Sequence, residues 1–121
     1  MNHFISLTEA ASMTALYRQQ KEDILGSAYQ NQGILPICET FDRAAFDAVL
    51  NQAACTGIRI YYGMDNELKV HAIIAGVNDN DEDILPAQSN SMNETTEDVS
   101  IIERGTRCPD ICPPESELNT D

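Results

Sequence analysis

Apolar side chains recur at helical spacing twice in the first half of the chain. Ala10, Met13, Tyr17 and Ile24 form a thin stripe behind Ser6-Leu7-Thr8-Glu9. A serine followed three residues later by glutamate has the form of a capping box, so a helix is expected from about Leu7 to Leu25. Its second half, Gln19 to Asp23, is mostly polar, which leaves the first three turns as the part that docks. Gly26 is the stop signal, and Ser27 to Gly33 reads as a connector. The second helix is better marked. Asp42 takes the N-cap position, and Phe41 can pack on Phe46 one turn in. Phe46, Val49, Leu50 and Ala53 then follow the i, i+3, i+4, i+7 rule, with an end expected near Gln52.

Between the helices, the run Ile34-Leu35-Pro36-Ile37-Cys38-Glu39 predicts a strand over about Leu35 to Thr40. After Gly57 the pattern becomes that of a hairpin, Ile58 to Gly63 returning as Leu68 to Val77. Burial argues its register, because a slip of one residue turns a whole apolar set toward water. Pairing Ile58, Ile60 and Tyr62 with Ile74, Ala72 and Val70 demands an odd-numbered loop, most simply Asp65-Asn66-Glu67. The opposite face then carries Arg59, Tyr61, Lys69, His71 and Ile73, with Tyr61 directly across from His71.

These elements predict an α+β fold: a small two-layer domain over residues 1–77, in which the hairpin and the first strand make a three-stranded sheet covered on one face by both helices. The helical connection from Thr40 to Gly57 is long enough for a right-handed parallel crossover, so a mixed sheet is expected. Residues 78–121 read as an acidic, mostly irregular linker and a Cys/Pro-rich tail. Too little apolar surface lies between Val77 and Ser100 to offset its ordering entropy, so a mobile linker is expected there. Val99 to Glu103 alternates enough to add an edge strand, which would bring in Ile101.

Charge sharpens this division. The 121 residues carry a formal charge of −13. Residues 1–77 hold 8 acids and 5 bases, and residues 78–121 hold 12 acids and 2 bases. Such a chain repels phosphate backbones and anionic headgroups, so neither nucleic acid nor a membrane is expected as a partner. No apolar run approaches a bilayer span and Met1 to Leu7 lacks a signal-peptide pattern, so a cytoplasmic location is expected. A body of this size buries only about 60–65% of the surface its unfolded chain exposes, and self-association would relieve that.

Four cysteines are present: Cys38, Cys55, Cys108 and Cys112. In a cytosolic chain they should be reduced, with Cys38 and Cys55 acting as small buried apolar residues. Cys108 and Cys112 stand in Cys-Pro-Asp-Ile-Cys-Pro, which resembles the copper-binding loop of the Sco family of cytochrome oxidase assembly proteins. In that family two thiolates and a distant histidine hold copper within a thioredoxin-like fold. The match covers six residues, and the nine that follow Cys112 hold no counterpart of the family's downstream fold or its histidine. The resemblance implies Cu(I) ligation by Cys108 and Cys112, with His71 or His3 as a third ligand. Asp79, Asp81 and Asp83 have the spacing of the first calcium ligands of an EF-hand, but Ile84 and Asn90 occupy the positions that require glycine and glutamate, so the pattern fails. The nucleotide-binding, nucleophile-elbow and zinc-protease motifs are absent, and no cofactor is expected.

As a whole, Ile37 to Phe41, Gly57 to Gly63, the hairpin and the Cys-Pro-rich end resemble a group of small bacterial proteins of the Bacteroidota type. That resemblance implies a bacterial cytoplasmic setting and brings no activity or site. The leading expectation is an interaction or self-assembly protein without catalytic activity, using Arg59, Tyr61, His71, Ile73 and Ile101, and binding a protein partner or itself. The rival is a thiol or Cu(I)-binding protein using Cys108 and Cys112. A weaker third is a small enzyme with a site on the hairpin face.

Overall fold

The computed structural model describes residues 2–86 and 101–120. It is an α+β structure with two helices and antiparallel sheets. In chain order the elements are α1 (Leu7–Gln20), a short 3-10 turn (Ser27–Tyr29), β1 (Cys38–Thr40), α2 (Arg43–Leu50), β2 (Gly57–Met64), β3 (Val70–Val77), β4 (Asp83–Ile84), β5 (Ile101–Ile102) and β6 (Thr106–Cys108). No helix among the described residues is long and apolar enough to cross a membrane.

α1 begins where the capping pattern places it, with the Ser6 hydroxyl accepting the Glu9 N–H at 3.0 Å. It stops at Gln20 rather than Leu25, because the polar second half has nothing apolar to bury. α2 starts after Asp42, whose carboxylate makes no capping bond. The Phe41 and Phe46 rings meet edge-on with centroids 5.9 Å apart and fix the entry of the helix instead. Val49 then reaches the core, fully buried with Ile74 and Ile102, and Phe41, Ala45 and Phe46 close over it. α2 lies directly on the β3 backbone: a Cβ on Gly76 would stand 2.9 Å from Cys55 Sγ and 3.3 Å from Val49 Cγ1.

The sheet departs from the expected one in three ways. β1 does not join the hairpin; it pairs with β6, forming a separate antiparallel ladder in which Cys38, Glu39 and Thr40 face Cys108, Arg107 and Thr106. The third rank beside β3 is filled instead by β4 and β5, end to end, so the strand pairs among the described residues are antiparallel, with no parallel crossover between them, rather than mixed. Finally, it is α2 that packs over β3 and β5 to close the core. α1 buries no side chain; it is tied on by Tyr17, whose hydroxyl donates to Pro36 O at 2.7 Å, and by Arg18, which donates to Leu118 O at 2.8 Å. Leu7, Met13 and Leu16 stay exposed on this 14-residue helix, whose apolar residues do not gather into a stripe that covers the sheet.

The hairpin register is also displaced. Ile60 pairs with Ile74, Tyr62 with Ala72 and Tyr61 with Ile73, so His71 lies across from Gly63 and not from Tyr61. The loop has the expected three residues but begins one residue later, as Asn66-Glu67-Leu68. The Asp65 carboxylate accepts the N–H groups of Glu67 and Lys69, and Leu68 takes a left-handed φ of 68°. The supposed mobile linker opens with a copy of this turn. Asn78 Oδ1 accepts from Asn80 and Glu82, Asp81 takes φ 64°, and the chain returns along β3 as β4. Of the expected strand at Val99 to Glu103, Val99 and Ser100 lie outside the described residues, and Ile101 and Ile102 form β5.

Candidate functional site

Two polar clusters occupy the face opposite α2. In the first, the Arg59 guanidinium donates to Asp83 at 2.7 Å and also pairs with Asp81, while the Tyr61 hydroxyl donates to the second oxygen of Asp83. The Tyr61 hydrogen bond, reinforced by Arg59, holds the Asp83 carboxyl below its usual range, and the same bond raises the Tyr61 phenol. Two of the three carboxylates with calcium-like spacing are thus spent on an arginine. In the second cluster His71 Nε2 lies 2.7 Å from Asp65 and Nδ1 lies 3.6 Å from Glu103. The His71 contact and the Lys69 N–H hold the Asp65 carboxyl down at about 2. His71, Ile73, Asp65 and Glu103 line a shallow cavity of about 320 Å³. Tyr61 and His71 therefore serve different clusters, and no arrangement of acid, base and nucleophile joins them. Ile101 pairs with Ala75 on the same face and is partly exposed.

The sheet edges differ sharply. Asp65 N–H donates to Lys69 O at 3.0 Å, and hydrogen-bonded pairs recur at every second residue of an antiparallel ladder. Hence Val70, Ala72, Ile74 and Gly76 of β3 direct their backbone groups away from β2, and each finds a cover. β4 and β5 pair beside Gly76 and Ile74. The Glu39 carboxylate accepts the Ala72 N–H at 2.7 Å, and Ile34 O accepts the Val70 N–H at 2.8 Å. Arg107 Nε donates to Val70 O at 3.0 Å, and its Nη2 reaches Gly33 O and Ile34 O at 3.0 and 3.1 Å.

The same parity turns the backbone groups of Ile58, Ile60, Tyr62 and Met64 toward the outer edge of β2, where no strand among the described residues pairs. Their side chains share the α2 face, yet α2 sits over β3 and β5 and leaves them open: Ile60 is 53% exposed and Tyr62 79%. The burial expected for Ile58, Ile60 and Tyr62 is therefore not found.

At the far end, Cys108 closes β6 and is bonded to Cys112 across a turn, not reduced. A disulfide leaves neither sulfur as a thiolate for Cu(I). Among the described residues no group of three His, Cys, Asp or Glu side chains is placed to hold a metal. Cys38 and Cys55 are free. Sequence reasoning missed Glu39 and Arg107, which act as single side chains on a strand edge and leave no periodic trace. The opposition of Cys38 and Cys108 was equally hidden, since 70 positions of chain separate them. No protein-family model, no curated protein and no solved structure matches the chain.

Proposed function

We propose that the protein is a self-associating module whose contact is the outer edge of β2, continued into a second copy as an antiparallel strand. One observation carries this: β4, β5, Glu39, Ile34 and Arg107 cover outward backbone groups of β3 at Val70, Ala72, Ile74 and Gly76, while no strand among the described residues pairs with the outer edge of β2. Unpaired edges template further strands, and monomeric proteins usually blunt them with charge, proline or a bulge. β2 carries none of these on its exposed stripe; its one charge, Arg59, lies on the other face, bound by Asp81 and Asp83.

A second copy suits the edge better than an unlike partner of complementary charge. The stripe holds no ionised side chain, so pairing brings no like charges together within it although each chain carries −13. A two-fold pairing about Ile60 sets Ile58 against Tyr62 of the second copy, an aromatic and β-branched pair of the favourable kind. One strand pair alone belongs to the small, reversible class of interface, below about 1,200 Å².

The test is light scattering behind size exclusion at ~100 μM protein, the range where interfaces of this class are read. The wild type should run as a dimer and Ile60→Lys as a monomer, with unchanged circular dichroism. A wild-type monomer at that concentration, or an unaltered Ile60→Lys dimer, overturns the proposal.

A further inference from the structure

β1 and β6 bring a free thiol opposite a disulfide. Cys38 and Cys108 are direct partners in the ladder, and Cys108 is already bonded to Cys112 with a Cα separation of 4.5 Å. Directly opposed residues of an antiparallel pair share a face, with Cα atoms about 4.5–5.5 Å apart, inside the roughly 4.4–6.8 Å that a disulfide spans. Cys108 therefore has two cysteines within bonding reach, one across the ladder and one across the turn.

We propose that Cys38, Cys108 and Cys112 form an internal thiol–disulfide exchange unit, in which the bond moves between Cys108–Cys112 and Cys38–Cys108. In the forward step the Cys38 thiol gives its proton to solvent, and its thiolate attacks Cys108 Sγ. A Cys38–Cys108 bond forms, the Cys108–Cys112 bond breaks, and Cys112 leaves as a thiolate that takes up a proton. One disulfide and one thiol stand on each side, so no external oxidant or reductant enters.

The placement of the three sulfurs gives the exchange its direction. Cys38 is half-buried and Cys108 is buried, whereas Cys112 is exposed. The departing thiolate is thus the one that water can solvate, which favours it as the leaving group. Cys108 is held in place for attack by the Ile37 N–H on its carbonyl at 2.7 Å and by the Arg107 fork beside it. The turn from Cys108 to Cys112 is held besides the disulfide by the Ile111 N–H on Arg107 O at 3.0 Å. Exchange would therefore present a reactive thiol at the surface, at Cys112, while newly joining β1 and β6 covalently through Cys38 and Cys108. Cys55 stands apart, its thiol donating to Gly57 O at 3.3 Å.

The experiment uses the full chain with Cys55→Ser, oxidised with glutathione disulfide, acid-quenched, alkylated and peptide-mapped by mass spectrometry. In this background a fraction of molecules should carry the Cys38–Cys108 bond with the label on Cys112, the remainder Cys108–Cys112 with the label on Cys38. Adding Cys112→Ser should drive the first bond to completion, so that alkylation falls from two thiols to none. The proposal is overturned if the label sits on Cys38 in every molecule, if no disulfide forms, or if a folded Cys112→Ser variant keeps both thiols. Should Cys112→Ser fail to fold, the Cys55→Ser map decides alone.

Discussion

Removing the Arg107 fork is the most direct way to ask whether the C-terminal segment is part of the fold or merely lies on it. The guanidinium joins three pieces of chain: β6, which carries it, Val70 at the start of β3, and the Gly33–Ile34 connector. Arg107→Met keeps much of the stem volume and deletes the donors. Nη2 is shared between Gly33 O and Ile34 O, so the loss amounts to two charge-assisted bonds, gross ~3–6 kcal/mol at about 1.5–3 kcal/mol each. The side chain is half-buried, and water will reach some of the vacated carbonyls, bringing the expected net loss to about 3 kcal/mol. Against a total stability of about 5–15 kcal/mol this is a large fraction. With a urea m-value of ~1.5 kcal/mol/M the midpoint should fall by about 2 M. Urea unfolding followed by circular dichroism, with wild type and variant in the same disulfide state, reads this. Arg107→Lys keeps the charge but cannot serve both directions at once, and should recover less than half of the loss. A midpoint shift below about 0.3 M for Arg107→Met would refute the reasoning, since the tail would then contribute nothing that water does not replace.

Three further outcomes follow from single contacts. Gly76→Ala sets a methyl 2.9 Å from Cys55 Sγ and 3.3 Å from Val49 Cγ1, so α2 must shift and stability should drop by about 1–3 kcal/mol in the same assay. Asn78→Ala removes the acceptor of two backbone N–H groups in the β3–β4 turn and should cost about 1 kcal/mol, with faster amide exchange at Asp83 and Ile84. Asp65 is held down at about 2 from an ordinary 3.8. Its depressed value contributes stability that is fully present above the ordinary value and is lost as pH falls through about 2. Asp65→Asn should therefore be less stable than wild type at pH 6, and the gap should close in acid titrations between those two values.

What could be read from the sequence is what repeats. α2 showed itself through Phe46, Val49 and the Phe41–Phe46 pair, and the hairpin through two apolar runs around a polar turn. Its register was missed by one turn position, because Asp65 reads equally well as the first loop residue and as the cap before it. Only its bonds to Glu67, Lys69 and His71 decide for the second. The same ambiguity hid the Asn78 turn inside what looked like a solvated charge run. Of the candidate site, the grouping of Arg59, Tyr61, His71 and Ile73 on one face follows from strand alternation alone. Their division between Asp83 and Asp65 does not, since it depends on where two turns place two carboxylates.

The placement of β1 was illegible for a related reason, and it decides how the tail should be understood. A strand of three residues, Cys38 to Thr40, carries too little pattern to choose a partner. Its choice is made by Glu39, whose carboxylate reaches past the ladder to the Ala72 N–H, and by Arg107 on the facing strand, whose fork reaches Val70. The β1–β6 ladder is thus clamped to β3 from both of its strands, and the clamp lies where β5 runs out. Because the segment after Ile101 covers one edge of β3, β2 is the long edge strand among the described residues, the one bearing Ile58, Ile60 and Tyr62. Because the same segment threads past β1, Cys108 lands opposite Cys38. Coverage of the β3 edge and the opposition of Cys38 and Cys108 are consequences of one docking event, and loosening it through Arg107 should weaken capture of Cys108 by Cys38 while also exposing the β3 edge to association.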